Sequence, residues 1–348
     1  MELLWFSIIA FMITMYALLD GFDLGAGVLH LVIARTDRER RTILNAIGPV
    51  WDGNEVWLIA GGGTLYFAFP LLYASSFSGF YLPLMIVLWL LILRALGIEF
   101  RHQLNTPLWK SFWDAIFSTG SILLTIFLGA ALGNVIRGVP LQSDGYFFTP
   151  LWTNFSPEGE AGILDWFTVT MGLVSFFVLT THGAHFIALK TDGLLQQRAR
   201  QAAGWMWWGT LASSVAAVAG IWSIRPAIWE NFGTYPWGFV FPLLGLVGLA
   251  GMLWANRSGN DRMAFLSSTA FILGMLAATA FGMYPTVLPS TTDPALSLTV
   301  SNTISHDYGL SVGIIWWTIG MLLAAGYVIY MFRSTRGKVV LPSESEGY

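Results

Sequence analysis

The sequence lacks cysteine and is poor in charge, and both absences limit what the protein can be. Without cysteine, none of its 348 residues supplies a disulfide or a thiolate, so a metal ion would need histidine, methionine or carboxylate ligands. Charged residues make up 11% of the chain, far below the roughly 25% of soluble domains, and hydrophobic residues make up 55%. No basic block or aromatic–basic stripe points to nucleic acid as a partner. The composition therefore predicts a protein that folds in lipid.

Stretches of low charge recur along the whole chain, each close to the ~20 residues that a helix needs to cross a bilayer. They lie near residues 3–34, 56–74, 77–97, 115–136, 162–189, 205–225, 237–256, 264–284 and 309–332. The first is expected to be a retained span, because Met1 and Glu2 run into apolar residues without the positive region of a secretory signal. The sequence predicts an all-α integral membrane protein with nine transmembrane helices over residues 1–336, and a polar, disordered cytoplasmic tail at 337–348.

The basic residues predict how these helices are oriented. Of 17 lysines and arginines, all but three fall in the loops of one side; Arg137 and Arg225 lie on the other side, and Arg94 lies within a span. Basic loops stay in the cytoplasm, so the N-terminus is predicted outside and the C-terminus inside. An odd number of spans is what this placement requires.

A weak internal repeat divides the helices into groups. The segment from His30 to Asp37 resembles the segment from His185 to Asp192, 155 positions later, and each lies at the cytoplasmic end of a span. This register predicts two four-helix units, near 3–136 and 162–284, followed by a ninth helix near 309–332. The match covers eight residues, so a chance likeness is the alternative.

Ionisable residues gather in or at the ends of the first three spans, where an uncompensated charge costs about 3 kcal/mol. The set comprises Asp20, Asp23, Asp52, Glu55, Arg94 and Glu99. The span directions place all six on the cytoplasmic side. Asp20 and Asp23 are three residues apart on one helix face, and so are Asp52 and Glu55. One interpretation is a proton-uptake path through partly buried acids. The other is a structural ion pair of Asp23 with Arg94, with the remaining acids capping helix ends.

Glycines accompany these acids. Gly21, Gly25 and Gly27 have the small-residue spacing that lets another helix approach closely, and residues 61–63 are a glycine triplet in the second span. We expect both groups to serve helix packing.

Histidine and tryptophan suggest two further kinds of site. His30, His182 and His185 lie near the cytoplasmic ends of spans 1 and 5, and imidazoles in spans can ligate haem iron. However, the i, i+3 spacing of His182 and His185 suits two separate haems poorly, so hydrogen-bonding roles are favoured and no metal ligand is assigned. Trp51, beside Asp52 at a helix start, is a candidate neighbour of a quinone ring.

Several long blocks of sequence together resemble subunit II of cytochrome bd-type quinol oxidases. They are Leu19–Gly25, Asn45–Trp57, Phe69–Tyr81, Arg94 followed by Glu99–Arg101, Gly133–Asn134 with Gly138–Pro140, and Met283–Asp293. The blocks extend from the first span to the last, and nine spans with an outside N-terminus fit this family.

The resemblance implies a function within a complex of the bacterial inner membrane. In such oxidases, subunit I holds haem b, haem d and the quinol site, and transfers electrons from quinol to O2. Subunit II then is the non-haem subunit of the enzyme, supports assembly of subunit I, and supplies a cytoplasmic proton path. The acids of that path match Asp23, Asp52 and Glu99, and its arginine matches Arg94. A small single-span subunit often accompanies the pair, and some members hold a structural quinone in subunit II.

Two alternatives use the same residues differently. A proton-coupled transporter has buried acids near mid-membrane, reachable from both faces. A stand-alone b-type cytochrome would show haem absorption in the isolated chain. Neither accounts for the long blocks, and the sequence leaves open ubiquinol against menaquinol and the sensitivity to cyanide.

Overall fold

The computed structural model describes residues 1–157 and 160–340, and these are mostly helical. The helices are α1 (Glu2–Ile33), α2 (Asp37–Ile47), α3 (Trp51–Ala68), α4 (Pro70–Gly79), α5 (Tyr81–Phe100), α6 (Pro107–Arg137), α7 (Trp166–Lys190), α8 (Gly193–Ile224), α9 (Glu230–Thr234), α10 (Val240–Ser258), α11 (Asp261–Met283), α12 (Val300–Thr303) and α13 (Asp307–Ser334). A short antiparallel pair, β1 (Thr286–Leu288) and β2 (Leu298–Thr299), lies between α11 and α12.

Eight of the described helices are long and apolar enough to cross a membrane: α1, α5, α6, α7, α8, α10, α11 and α13. The second predicted span, at 56–74, has a different shape. The backbone leaves the helical region at Phe69, with φ −133° and ψ 66°, and a new helix begins at Pro70. Proline has no backbone N–H and restricts the residue before it, so one continuous helix cannot pass this point. Residues 51–79 therefore form α3 and α4 in place of one span.

The bundle has two distinct ends. At the basic end, ion pairs join α2 to its neighbours: Lys110 to Asp37 at 3.2 Å, and Arg198 to Glu39. At the loop end, the backbone N–H of Val139 donates to Pro289 O at 3.0 Å. The last turn of α3 also belongs to the loop end, since Ser305 N–H donates to Ala68 O at 2.9 Å.

Helix α1 lies at the centre, packed against α3, α6, α7 and α11. Its glycines make this possible: a Cβ atom at Gly25 would lie 2.9 Å from the Cα of Gly183 on α7, and one at Gly27 would collide with the Ser121 hydroxyl on α6. The packing predicted for this group is confirmed. For Gly62 and Gly63 it is wrong within this chain, because a Cβ at either position would meet nothing within 4 Å.

The segment after α13 is docked on the end of α7. Lys338 Nζ donates to Ala188 O at 3.0 Å and to Thr191 O at 2.7 Å, and Val339 N–H donates to Lys190 O at 2.8 Å. The last carbonyls of a helix lack helical partners, so they accept these donors. The predicted disordered tail is therefore wrong for residues 337–340, and the remainder, 341–348, lies outside the described residues.

Candidate functional site

Helix α1 carries two carboxylates in the interior of the bundle. Asp20 and Asp23 are both fully buried, more than two turns before α1 ends at Ile33. Apolar residues on either side keep this segment helical and inside the bundle. In lipid or a packed protein interior, such groups need a compensating charge or hydrogen bond.

Arg94 of α5 compensates Asp20. Its Nη1 lies 3.0 Å from Asp20 Oδ2 and its Nη2 lies 2.5 Å from Asp20 Oδ1, a two-point pairing of guanidinium with carboxylate. Glu55 of α3 approaches the same guanidinium at 3.9 Å. The structural pair considered from the sequence was Asp23 with Arg94; that pairing is wrong, since the planar guanidinium faces Asp20 one turn earlier. Arg94 is fully buried, so it links α1, α3 and α5 inside the bundle.

Asp23 has a weaker environment. Asn54 of α3 donates from Nδ2 to Asp23 Oδ2 at 2.8 Å and to Leu19 O at 3.2 Å. The second oxygen, Asp23 Oδ1, is buried and has no hydrogen-bond partner among the described residues. One carboxylate of α1 is thus neutralised by a cation, while the other keeps an open acceptor.

The remaining predicted residues lie closer to the basic end. Asp52 is exposed in the first turn of α3, and the Glu55 side chain, one turn further, is 20% exposed. Glu99 is half-buried, five residues beyond Arg94 on α5. Trp51 is buried in the apolar cluster that also includes Leu19. The structure therefore brings Asp20, Glu55 and Arg94 into contact, reaches Asp23 through Asn54, and places Asp52 at the exposed start of α3.

A second charged cluster surrounds Asp114 of α6, a residue that the sequence interpretation missed. Its Oδ1 accepts from His30 Nε2 at 2.6 Å and from Arg101 Nε at 2.5 Å, and its Oδ2 accepts from Arg40 Nη1 at 3.1 Å. The predicted fourth span began at 115, which left Asp114 in a loop, whereas α6 begins at Pro107. The signal that could have found it is an acid two turns into a helix that starts with proline after Thr106.

Asp37 extends this cluster toward solvent. Arg101 Nη2 donates to Asp37 Oδ1 at 2.6 Å, and Lys110 Nζ lies 3.2 Å from its Oδ2. Burial raises the pKa of Asp37, but the hydrogen bonds and charges of Arg101 and Lys110 outweigh burial and hold that pKa below its ordinary value. For Arg101, burial acts to lower the pKa, yet Asp114 and Asp37 raise it above its ordinary value.

His182 joins three helices through hydrogen bonds, whereas His185 Nε2 is buried without a hydrogen-bond partner among the described residues. His182 Nε2 lies 3.0 Å from Leu18 O on α1, its Nδ1 lies 2.7 Å from Ser268 Oγ on α11, and its ring stacks on Phe265 at 4.7 Å. Both ring nitrogens are therefore engaged, and iron ligation would cost one of these bonds. Within residues 1–157 and 160–340, no group of three or more histidine, aspartate or glutamate side chains is arranged to hold a metal ion.

The fold defines a multi-pass helical membrane protein, and the charges around Arg94 place ionisable groups deep in its interior. The family model described as cytochrome bd terminal oxidase subunit II matches residues 1–335. The chain belongs to this family, and the resemblance carried by its sequence blocks is confirmed.

Individual relatives agree with the family. The chain is 30% identical to the probable cytochrome oxidase subunit 2 of Haemophilus influenzae, over 97% of this chain and 95% of that protein. It is 30% identical to the cytochrome bd-I ubiquinol oxidase subunit 2 of Escherichia coli K12, over 90% and 88%. A chain in the structure of bd oxidase from Geobacillus thermodenitrificans shares the fold, with a TM-score of 0.74, 16% identity, and coverage of 95% and 97%.

Membership settles the coarse function. The protein is a multi-pass membrane subunit of a bacterial respiratory oxidoreductase complex, which implies a partner, subunit I, and haems held in that partner. The alternatives of a proton-coupled transporter and a stand-alone b-type cytochrome are thereby set aside.

Proposed function

We propose that this chain is the non-haem subunit of a quinol:oxygen oxidoreductase, supporting the assembly of haem-bearing subunit I and conducting protons from the cytoplasm toward it. The observation that carries the proposal is the group of Asp20, Asp23, Glu55 and Arg94 on α1, α3 and α5, of which all but Glu55 are fully buried. Reducing O2 to water consumes protons, and buried acids of this kind mark proton routes in membrane proteins. Electron transfer from quinol, the haem b and haem d centres, and O2 binding are assigned to subunit I.

The basic end is proposed to face the cytoplasm. It holds the basic helix α2 and the ends of α7 and α13, whereas the loop end carries Arg137 and Arg225. Arg137 is buried against Asp165, so even this charge is neutralised. The positive-inside rule then puts the N-terminus outside and the C-terminus inside.

Helix α3 is proposed as the ninth transmembrane helix. Its 18 residues extend about 27 Å at 1.5 Å per residue, close to the thickness of a hydrocarbon core. It runs from the basic end to the loop end, where Ala68 O accepts from Ser305 N–H. The hydropathy of α3 is lowered by its polar residues Asp52, Asn54 and Glu55. This explains why α3 is not among the eight helices that are apolar enough to be recognised as spans.

The helix contacts support the predicted domain organisation of two four-helix units. In the first, α1 packs on α3 and α6, and α5 packs on α6; in the second, α7 packs on α8 and α11, and α10 packs on α11. The contacts between units are reciprocal, α6 with α7 and α1 with α11. This pattern is that of an internal duplication, with α13 outside it.

The proposed proton path begins at Asp52 and ends at Asp23. A proton arriving at the exposed Asp52 passes to Glu55 one turn further along α3, and then to the group around Arg94. Asp20, held at two points by Arg94, remains the counter-charge, whereas Asp23 with its open Oδ1 accepts the proton. Glu99 is assigned to the same path on the basic side of Arg94.

A partner surface follows from the exposed face of α3. Gly62 and Gly63 meet no neighbour, and Ile59 is 72% exposed, while Glu55 on this helix is only partly covered. Glycines and an acid in contact with lipid are unfavourable, and closely approaching helices use such glycines. Subunit I is therefore proposed to cover this face. The neighbouring Trp51 remains the candidate contact of a structural quinone, and a small single-span subunit remains a predicted partner.

Because the chain has no cysteine, single cysteines report this contact cleanly. With Gly63→Cys, a thiol cross-linker should join this chain to subunit I in native membranes. Val247→Cys, at a position of α10 that is also exposed, serves as the control and should not cross-link. Cross-linking from Val247 alone would place subunit I elsewhere.

The proposed function is tested by quinol-driven oxygen consumption in membranes containing both subunits, with haem spectra recorded in parallel. Asp52→Asn should lower turnover while leaving the haem spectra intact. Asp144→Asn, an exposed aspartate at the loop end, should change neither. Loss of haem from Asp52→Asn would instead assign this residue to assembly, and unchanged turnover would remove it from the path.

A further inference from the structure

One face of α1 is polar over more than two turns. Asp20, Asp23, Gly27 and His30 recur at intervals of three, four and three residues, which puts them on the same side of the helix. Asp23 and His30 are seven residues apart, or about 10 Å along the axis. On α5, which also ends at the basic end, Arg94 and Arg101 are seven residues apart as well. The two charged clusters are thus two layers of one column.

The space between the layers is occupied by α6. A Cβ at Gly27 would lie 3.1 Å from the tip of the Phe117 ring, and a Cβ at Gly97 would lie 2.9 Å from Phe117 Cβ. The ring edge also contacts His30, with the ring centroids 5.2 Å apart. Two glycines therefore make room for one buried phenyl ring between the layers.

Ser121, one turn beyond Phe117, puts a hydroxyl at the same level. Its Oγ is packed directly against Gly27 and donates to Phe117 O at 2.8 Å, which leaves its lone pairs available. Gly27 is three residues from His30 and four from Asp23, about 4.5 and 6 Å along the axis. A single water on either side of the hydroxyl can span each step.

Atoms without a hydrogen-bond partner lie at both ends of the segment from His30 to Asp23. The His30 Nε2 faces Asp114, a carboxylate held by Arg101 and Arg40, so Nε2 carries a hydrogen and Nδ1 keeps a lone pair. His30 Nδ1 is buried without a hydrogen-bond partner among the described residues, as is Asp23 Oδ1. Leaving such an atom unsatisfied costs about 1–3 kcal/mol each, so two on one face require an explanation.

We propose that this face is a second, gated branch of proton uptake, in which His30 passes a proton to Asp23 by way of Ser121, and the Phe117 ring is the gate. This inference rests on the proton-conducting function proposed above and adds a route that does not use Asp52. When the Phe117 ring moves aside, water that enters from the cytoplasm delivers a proton to His30 Nδ1, and the ring becomes an imidazolium. Its Nε2–H stays on Asp114, a carboxylate that Arg40 and Arg101 share. The Nδ1 proton then passes along the Ser121 hydroxyl to the Asp23 carboxylate, which restores the neutral ring.

Other charged groups around His30 suit this role. Asp37 and Lys110 lie on the solvent side of Arg101 and pair with each other, so their charges largely cancel. Asp114 is the anion in contact with the ring, and it is shared with Arg40 and Arg101. The gate itself is closed in this structure, because the Phe117 ring packs against both Gly27 and His30.

The experiment measures quinol oxidase turnover of the complex with subunit I, with Asp52→Asn as the background that closes the first branch. Ser121→Ala in this background should lower the remaining turnover by about tenfold or more, the usual effect of removing a positioned proton-transfer group. Phe117→Ala should raise turnover above that of Asp52→Asn alone. Ser213→Ala, whose hydroxyl bonds its own i−4 carbonyl in α8, and Phe167→Ala, a buried ring in an apolar cluster that holds no residue of α1, are the matched controls.

The outcomes separate the two proposals. If Asp52→Asn lowers turnover but Ser121→Ala and Phe117→Ala act only as their controls do, the second branch is overturned and the proposed function stands. If neither Asp52→Asn nor Asp23→Asn changes turnover, the proposed function itself fails. Haem spectra report whether the complex is assembled. If His30→Gln loses haem, the smaller substitutions Ser121→Ala and Phe117→Ala decide whether the second branch exists.

Discussion

The helices before and after residue 165, which we propose form two related units, differ in what they bury. In residues 1–137, three carboxylates, three arginines and His30 are buried, and Asp23 Oδ1 and His30 Nδ1 lack hydrogen-bond partners among the described residues. In the described residues of α7, α8, α10 and α11, the buried ionisable groups are His182 and His185. Small residues and hydroxyls make up the rest of the buried polar set there. The buried acids and arginines of these helices thus lie in the first group, and the buried ionisable groups of the second are histidines.

The largest expected effect is the loss of Arg94, which breaks the first region's central ion pair. Arg94→Gln leaves Asp20 buried without its cation and should destabilise the assembled complex by about 3–5 kcal/mol. Thermal unfolding of the purified complex, followed through the haem bands, measures this. Arg225→Gln, a half-buried arginine at the loop end, is the control, and equal stability of the two variants would contradict the account.

The variants Asp20→Asn and Asp23→Asn should distinguish the roles of the two acids of α1. Asp23→Asn keeps the amide contact with Asn54 and should lower turnover about a hundredfold with the complex intact, because the acid that accepts the proton is gone. Asp20→Asn removes the counter-charge of Arg94 and should lower complex stability first. Steady-state turnover and melting temperature, measured on both, decide; a reversal of the two phenotypes would exchange their roles.

The next largest effect on stability should come from a close helix contact between the two regions. Gly183→Ala would drive a methyl group into Gly25 of α1, and should destabilise the complex by about 1–3 kcal/mol. Gly320→Ala, on α13, is the control, because a Cβ there would meet nothing within 4 Å. A Gly183→Ala complex that melts like the wild type would mean that the helices cross less closely.

The histidines of the second region should matter for stability and not for turnover. His182→Phe keeps the stack on Phe265 but loses the hydrogen bonds to Leu18 O and Ser268, at about 1–2 kcal/mol. Turnover per assembled complex should stay unchanged. A loss of turnover without loss of haem would give the second region a chemical role and remove the contrast.

The smallest expected effect on stability concerns Asp37, on the solvent side of the charged cluster around Asp114. Arg101 and Lys110 outweigh burial and hold the pKa of Asp37 below its ordinary value, so its stabilisation is present above that value and is lost as the pH falls through the folded-state pKa. Its side chain is half exposed, so the effect should stay under about 1 kcal/mol. Asp37→Asn should accordingly flatten the acid limb of a melting-temperature profile; an unchanged limb would mean that the pair contributes nothing.

The sequence predicts the scaffold better than the pairing inside it. Long apolar stretches and the blocks around Asp20 and Trp51 indicate both the helical bundle and the family, because lipid demands a length and the motifs are long. The break at Pro70 is visible in the sequence, but it was placed inside a span because the apolar character continues across it.

The partners of Arg94 could not be predicted in the same way. Asp20 and Asp23 lie one turn apart on one face, and only the rotation of α5 against α1 decides which of them meets the guanidinium. Asp114 escaped notice because a hydropathy window begins a span where charges end, whereas ion pairs with Arg40 and Arg101 allow α6 to begin earlier. Contacts between residues distant in sequence decide these pairings, and local sequence patterns do not reveal such contacts.

In the proposed path, Asp23 accepts the protons that oxygen reduction consumes. The most direct measurement mixes the pre-reduced complex with oxygen and follows haem oxidation together with a pH-sensitive dye, for the wild type and for Asp23→Asn, with Asp144→Asn as control. The account predicts that proton uptake in Asp23→Asn slows by at least about tenfold while the first electron transfer to oxygen keeps its rate. Proton uptake at the wild-type rate in Asp23→Asn would contradict it.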